Sequence, residues 1–221
     1  RLAAEMGGIL VEEKIAQELA SRPGQRLVTA GGLLVAVPPP EQVRTLIESE
    51  ARAFREHLAR LAEARAARWS FQRRQGDLIG DLWDAAPGWD LLLVGYRTPA
   101  RHGGPVVLVS PAGHRDGEAQ TLAEDLAAGL GTDTLTVAPA RHATDEDAEA
   151  TLLDSIARMR ASAVVLDLSA GPLRTPEQVR HLLEAARCPV IALGASKIAE
   201  TLEQRPSGNL PPRDDETAPG S

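Results

Sequence analysis

The sequence predicts an α/β protein built on a parallel sheet with helices on both faces, and three observations predict it. Apolar runs of strand length (Asp90–Gly95, Pro105–Ser110, Thr134–Ala138, Ser162–Leu168 and Pro189–Leu193) alternate with helical patterns. Parallel strands need such crossovers, and the crossovers are right-handed. The runs are nearly continuous rather than alternating, the mark of strands covered on both faces. Composition agrees: 43% hydrophobic and 25% charged residues describe a core-forming chain, which excludes disorder of the whole. At 221 residues there is room for one large domain or two small ones.

A helix tail over Arg1–Met6 precedes a short strand, Gly7–Val11, and a short helix is predicted around Lys14–Ala20. Pro38, Pro39 and Pro40 end the irregular stretch that follows, because each fixes φ and removes a donor. From Glu41 to Ala67, Val43, Leu46, Ile47, Ala51, Phe54, Leu58, Leu61 and Ala62 recur at helical spacing. Such a helix would be about 40 Å long, longer than one crossover requires, and a protein partner along it is expected. Trp69, Phe71 and Arg73 alternate with Ser70, Gln72 and Arg74 as in a strand. Asp77 is placed as N-cap of a helix over Leu78–Ala86. In the second half, helices are predicted at Gly117–Leu130, Thr144–Arg160 and Thr175–Ala186. Thr144 and Asp147 have capping-box spacing, and Thr175 is a candidate N-cap ahead of Pro176. Gln204–Ser221 turns to Pro, Gly, Asp, Glu and Ser, the composition of a disordered tail whose deletion should leave folding intact.

The composition also excludes function classes. The longest uncharged stretch, Leu27–Pro40, is 14 residues long and broken by glycines and prolines, so no membrane-spanning helix is predicted. Cys188 stands alone, which removes disulfide frameworks and multi-cysteine metal sites. A net charge of −7 with mixed signs argues against nucleic-acid binding. Basic residues other than Lys14 and Lys197 are all arginine, a bias typical of high-GC bacterial genes. A cytoplasmic location is expected. The chain begins at Arg1 rather than a methionine, so residues ahead of it are expected in the native protein.

A helix end with Gly7-Gly8-Ile9-Leu10-Val11, the long helix, the Trp69–Gly76 strand and Trp89-Asp90-Leu91-Leu92-Leu93-Val94-Gly95 resemble, in that order, the universal stress protein family. The second half is similar in abbreviated form and closes on Cys188-Pro189-Val190-Ile191. The resemblance implies a Rossmann-like, adenine-nucleotide α-hydrolase-like sandwich in two abbreviated tandem halves. They are 1–98, lacking a first strand that residues ahead of Arg1 could supply, and 105–195, with a tail at 204–221. It further implies a role in the stress response. ATP-binding members carry a Gly-x₂-Gly-x₉-Gly-(Ser/Thr) loop. None of the 19 glycines here has another three positions on, and only nine residues separate Gly95 from Pro105. Ser110 stands where such members place a strand-end aspartate. ATP binding is therefore not expected.

In open α/β sheets, ligands bind beyond the carboxyl ends of the strands. That rule nominates Gly95, Tyr96, Arg97, Gly103, Gly104, Ser110, Gly113, Asp167, Ser169 and Gly171 as ligand-binding residues, against the plainer reading that they make turns. No catalytic residue, metal site or cofactor is nominated. Ser169 lacks the preceding glycine of a nucleophile elbow, and the Asp145–Glu149 run near His142 reads as a helix first turn. The expected function is a non-catalytic interaction or regulatory module. The alternative is a nucleotide- or anion-binding protein with a reworked site and weak hydrolase activity. A homodimer through the edge of Pro189–Leu193 is expected. The alternative is an intramolecular pseudo-dimer bringing Val106–Val109 and Val190–Leu193 together.

Overall fold

The computed structural model describes residues 5–13, 26–28, 34–36, 38–95, 103–111, 117–139 and 145–196. The chain divides into two compact units, 1–84 and 85–221. The expected helix at Lys14–Ala20, the Thr144 cap and the tail at 204–221 lie outside the described residues.

In the first unit, β1 (Glu5–Glu13) pairs in parallel with β4 (Arg68–Gly76). Glu5 and Met6, expected at the end of a helix, are strand. Between these strands the chain forms an antiparallel hairpin, β2 (Arg26–Val28) and β3 (Leu34–Ala36), and then α1 (Pro40–Arg65). The hairpin is an addition to the expected elements, with strands only three residues long. Pro40 and Glu41 suit the first turn of α1, and Ala66 closes the helix in the left-handed region at φ 50°. Ala51, Leu58 and Ala62 are the buried stripe of α1. Phe54 meets Phe71 of β4 edge to face, with ring centroids 5.6 Å apart. A Cβ on Gly8 of β1 would fall 2.7 Å from Leu58 Cδ2, so a larger residue there would make the Leu58 side chain shift. The short α2 (Leu78–Ala85) begins as expected, with the Gly80 N–H donating to Asp77 Oδ2 at 2.9 Å.

The second unit holds a five-stranded sheet in the order β5-β9-β8-β6-β7. Its strands are β5 (Leu91–Val94), β6 (Val106–Val109), β7 (Thr134–Val137), β8 (Ala163–Asp167) and β9 (Val190–Leu193). Helix α3 (Glu118–Leu130) links β6 to β7, α4 (Asp145–Arg158) links β7 to β8, and α5 (Pro176–Ala186) links β8 to β9. β6 to β7 steps one way across the sheet and the next two connections step the other way. Right-handed crossovers therefore put α3 on one face and α4 with α5 on the other. Val106, Leu108, Val165 and Ile191 pack with Ala123 and Ala127 of α3. Val107, Val109, Val164, Leu166 and Val190 point to the opposite face by strand alternation and are just as buried. Burial on both faces is what the continuous apolar runs predicted.

One strand departs from expectation. β5, read as a buried parallel strand, is antiparallel to β9 and half exposed, with Leu91 and Leu93 outward and Leu92 and Val94 inward. An apolar run does not encode strand direction, and this one forms an edge. Both sides of β9 are consequently filled, by β8 and β5. The open edge expected at Pro189–Leu193 does not exist, and β8 separates β6 from β9.

Candidate functional site

Connectivity reverses between β6 and β8, the place where open α/β sheets form a crevice. A cleft of about 40 Å³ lies there, room for a few waters or one small polar group. Leu108, Val109, Ser110, Pro111, Gly117 and Gln120 line it from β6 and the start of α3, and Asp167, Ala170 and Gly171 from the end of β8. Ser110 is the one buried polar residue among the described residues. Its N–H continues the ladder by donating to the Val137 carbonyl at 3.1 Å.

Asp167 organises the other wall. Its Oδ1 accepts from the Ser169 N–H at 2.8 Å, the Ser169 hydroxyl at 2.6 Å and the Ala170 N–H at 3.1 Å, so the carboxylate builds the turn that follows β8. The Gly171 N–H donates to the Asp167 carbonyl, and Arg174 Nε donates to the Gly171 carbonyl at 2.8 Å. From Thr175 a capping box with Gln178 starts α5, so the loop is tied down at both ends. Gly194, at φ +70° after β9, completes the cluster: a Cβ there would lie 2.9 Å from Ser169 Oγ and 3.0 Å from Asp167 Oδ1. Sequence reasoning missed Gly194, although a glycine directly after the apolar run Pro189–Leu193 was the available signal.

The N-terminus of α3 closes the cleft. Gly117 occupies the N-cap position with no side-chain cap. The Glu118 and Ala119 N–H groups precede the helix's own acceptors and carry the positive end of the helix dipole, while the Gln120 N–H donates to the Gly117 carbonyl at 3.1 Å.

The nominated residues separate into two groups. Ser110, Asp167, Ser169 and Gly171 gather at the carboxyl ends of β6 and β8. Gly95, Gly103 and Gly104 do not join them. Because β5 runs antiparallel, Gly95 sits beside Pro189, at the amino end of β9. The Gly104 carbonyl accepts from Thr132 Oγ1 at 2.8 Å and Ser162 Oγ at 2.7 Å, at the amino ends of β7 and β8. Tyr96, Arg97 and Gly113 lie outside the described residues.

Among the described residues, histidine and cysteine lie elsewhere. His181 Nδ1 lies 3.1 Å from Glu149 Oε1, a pairing of α5 with α4, and Cys188 precedes β9. Burial pushes the Cys188 thiol up to about 11. Among the described residues no three His, Cys, Asp or Glu side chains gather as metal ligands, and no helix is long and apolar enough to cross a membrane.

No protein-family model matches the chain, and no curated protein matches it. Among solved structures it is similar to a functionally unknown protein from Pseudomonas aeruginosa PAO1. The identity is 12% and the TM-score 0.44, over 91% of this chain and 96% of that one. It is similar also to a candidate universal stress protein from Pseudomonas aeruginosa UCBPP-PA14, with 13% identity and a TM-score of 0.43, over 91% of this chain and 97% of that one.

Proposed function

We propose that the chain is a non-catalytic, universal-stress-protein-like regulatory module of a bacterium, and that its second unit senses a small hydroxylated ligand at the β6/β8 cleft. The observation that carries this reading is the convergence of Ser110, Asp167 and the uncapped start of α3 on one crevice at the switch point. The cleft of about 40 Å³ admits one small polar group, so Ser110 and the Asp167 carboxylate would take one hydroxyl of a ribose or polyol whose remainder stays outside. The cleft holds a carboxylate and no lysine or arginine among its described lining, so a triphosphate would meet repulsion that one helix N-terminus offsets only partly. Ser169 donates its hydroxyl to Asp167 Oδ1, which also accepts the Ser169 and Ala170 N–H groups, and no histidine is hydrogen-bonded to it among the described residues, so we read the contact as part of the turn rather than as an activated nucleophile. The ATP loop of the family is absent in this reading.

Titration of the isotope-labelled full chain with adenosine, ribose, inorganic phosphate and ATP tests it by NMR. Adenosine or ribose is expected to move the amide signals of Ser110, Gln120 and Gly171, and Asp167→Asn to weaken that binding about tenfold. ATP is expected to bind more weakly than about 100 μM, roughly −5.5 kcal/mol. Tighter ATP or phosphate binding lost in Ser110→Ala would instead establish the nucleotide- or anion-binding alternative, in which the α3 N-terminus is the main attraction.

A further inference from the structure

A continuous chain of polar contacts runs from the cleft wall to a histidine of α5. At the cleft, Arg174 Nε donates to the Gly171 carbonyl at 2.8 Å and Nη2 to that of Ala170 at 3.4 Å. Both of these residues line the crevice. The Arg174 and Thr175 N–H groups donate in turn to one atom, Gln178 Oε1, at 2.8 and 3.1 Å. The other end of the same amide, Nε2, donates to Glu149 Oε2 of α4 at 3.0 Å. Glu149 Oε1 lies 3.1 Å from His181 Nδ1, so this carboxylate gives one oxygen to the glutamine and the other to the histidine.

The histidine meets a carboxylate at both ring nitrogens. Its Nε2 lies 3.4 Å from Glu177 Oε1, one turn earlier on α5. A neutral imidazole carries a single N–H, so either tautomer leaves a ring lone pair facing a carboxylate oxygen. Only the protonated ring donates to both. Among the described residues Glu149 and Glu177 are the charged groups that face this ring, and Arg180 approaches Glu177 at 3.9 Å. The His181 side chain is 45% exposed and takes protons from solvent, whereas Glu149 is 20% exposed and has little water to replace a lost partner. Histidine changes charge between about pH 5 and 8. We propose that His181 is a proton sensor whose charge sets how firmly the wall of the β6/β8 cleft is held. The protonated ring fixes Glu149, Glu149 fixes the Gln178 amide, and Gln178 fixes the Arg174–Thr175 segment that grips Ala170 and Gly171. On loss of the proton, the Glu149 contact turns to repulsion in one tautomer and survives without the ion pair in the other. Ligand and proton then favour each other's binding, a consequence that rests on the ligand site proposed for this cleft.

NMR titration of the isotope-labelled full chain without ligand, from pH 8 to 5.5, tests the sensor itself. The amide signals of Gly171, Arg174 and Thr175 are expected to move with the same midpoint as the His181 ring. His181→Gln is expected to abolish that movement. Glu149→Leu, which leaves the capping box of α5 intact, is expected to keep the ring titration and silence the three amides; a direct field effect of the ring charge would persist in it. Adenosine is expected to bind about fivefold more tightly at pH 5.5 than at pH 8, and equally at both in His181→Gln. Amides that stay still while the ring titrates, or that respond undiminished in Glu149→Leu, overturn the proposal, as does equal adenosine affinity of the wild type at both pH values. Amides that follow the ring in a protein that binds adenosine at neither pH uphold the sensor and sink the ligand reading alone.

Discussion

Gly104 shows how one residue positions three strands. Its carbonyl accepts hydroxyl hydrogen bonds from Thr132 and Ser162, and a Cβ on it would fall inside the bonding radius of the Arg160 carbonyl oxygen. Gly104→Ala is therefore expected to destabilise the second unit by about 2–3 kcal/mol, the cost of an overpacked site. Urea unfolding checks it, and a loss under about 0.5 kcal/mol would show that the backbone moves freely there. The sequence nominated Gly104 for a ligand, whereas the structure gives it a packing role: glycine signals close approach without saying what approaches. Cys188 is the second case. Burial raises its thiol from an ordinary 9.0 to about 11, so at pH 8 its reactive thiolate is about a hundredfold scarcer than in an unfolded chain. Iodoacetamide is expected to label the native protein that much more slowly than the urea-unfolded one; equal rates would mean an accessible thiol. The folded state holds this proton more tightly than the unfolded state. The stability linked to it is therefore complete below pH 9 and falls as the pH rises from there toward 11.

Among the elements, those with local signals were legible and those defined by their neighbours were not. Helix α5 was readable to its first residue because Thr175 ahead of Pro176 is a start signal written in sequence order, and the structure adds a capping box: Thr175 accepts from the Gln178 N–H at 3.3 Å while Gln178 Oε1 accepts from the Thr175 N–H at 3.1 Å. Thr175→Ala is expected to cost about 1 kcal/mol, read from the urea midpoint at unchanged slope. An unaltered midpoint would mean the loop after β8, held by Arg174 and Asp167, caps the helix without it. Strand β5 shows the opposite situation. Leu91–Val94 is as apolar as the central strands, and its direction and edge position depend on β9, nearly a hundred residues away. That one reversal moved Gly95 away from the candidate site, whereas Gly103 and Gly104, just ahead of β6, sit at its amino end whichever way β5 runs. Ser110 and Asp167 stayed in the site because β6 and β8 are parallel neighbours, as their flanking helices required. The hairpin of β2 and β3 escaped notice for a different reason: three-residue strands carry too little periodicity to register.

At the scale of the whole molecule, the two units differ in how much core each builds. Among the described residues of the first, only Gly8, Ala51, Leu58, Ala62 and Ile79 are buried, around a two-stranded parallel sheet. Parallel sheets ordinarily occur with both faces covered, and two strands alone are marginal in water. The second unit covers both faces of a five-stranded sheet, with Leu152, Ile156, Leu166, Leu182 and Leu183 each under 3% exposed. At about 25 cal/mol per Å² of apolar surface removed from water, this difference decides which unit can stand alone. Fragment 85–221 is expected to unfold cooperatively in urea, with Trp89 as its sole fluorescent tryptophan. Fragment 1–84 is expected to show a shallow, probe-dependent transition at low concentration. A sharp transition of 1–84, coincident by fluorescence and circular dichroism, would show that the small core suffices.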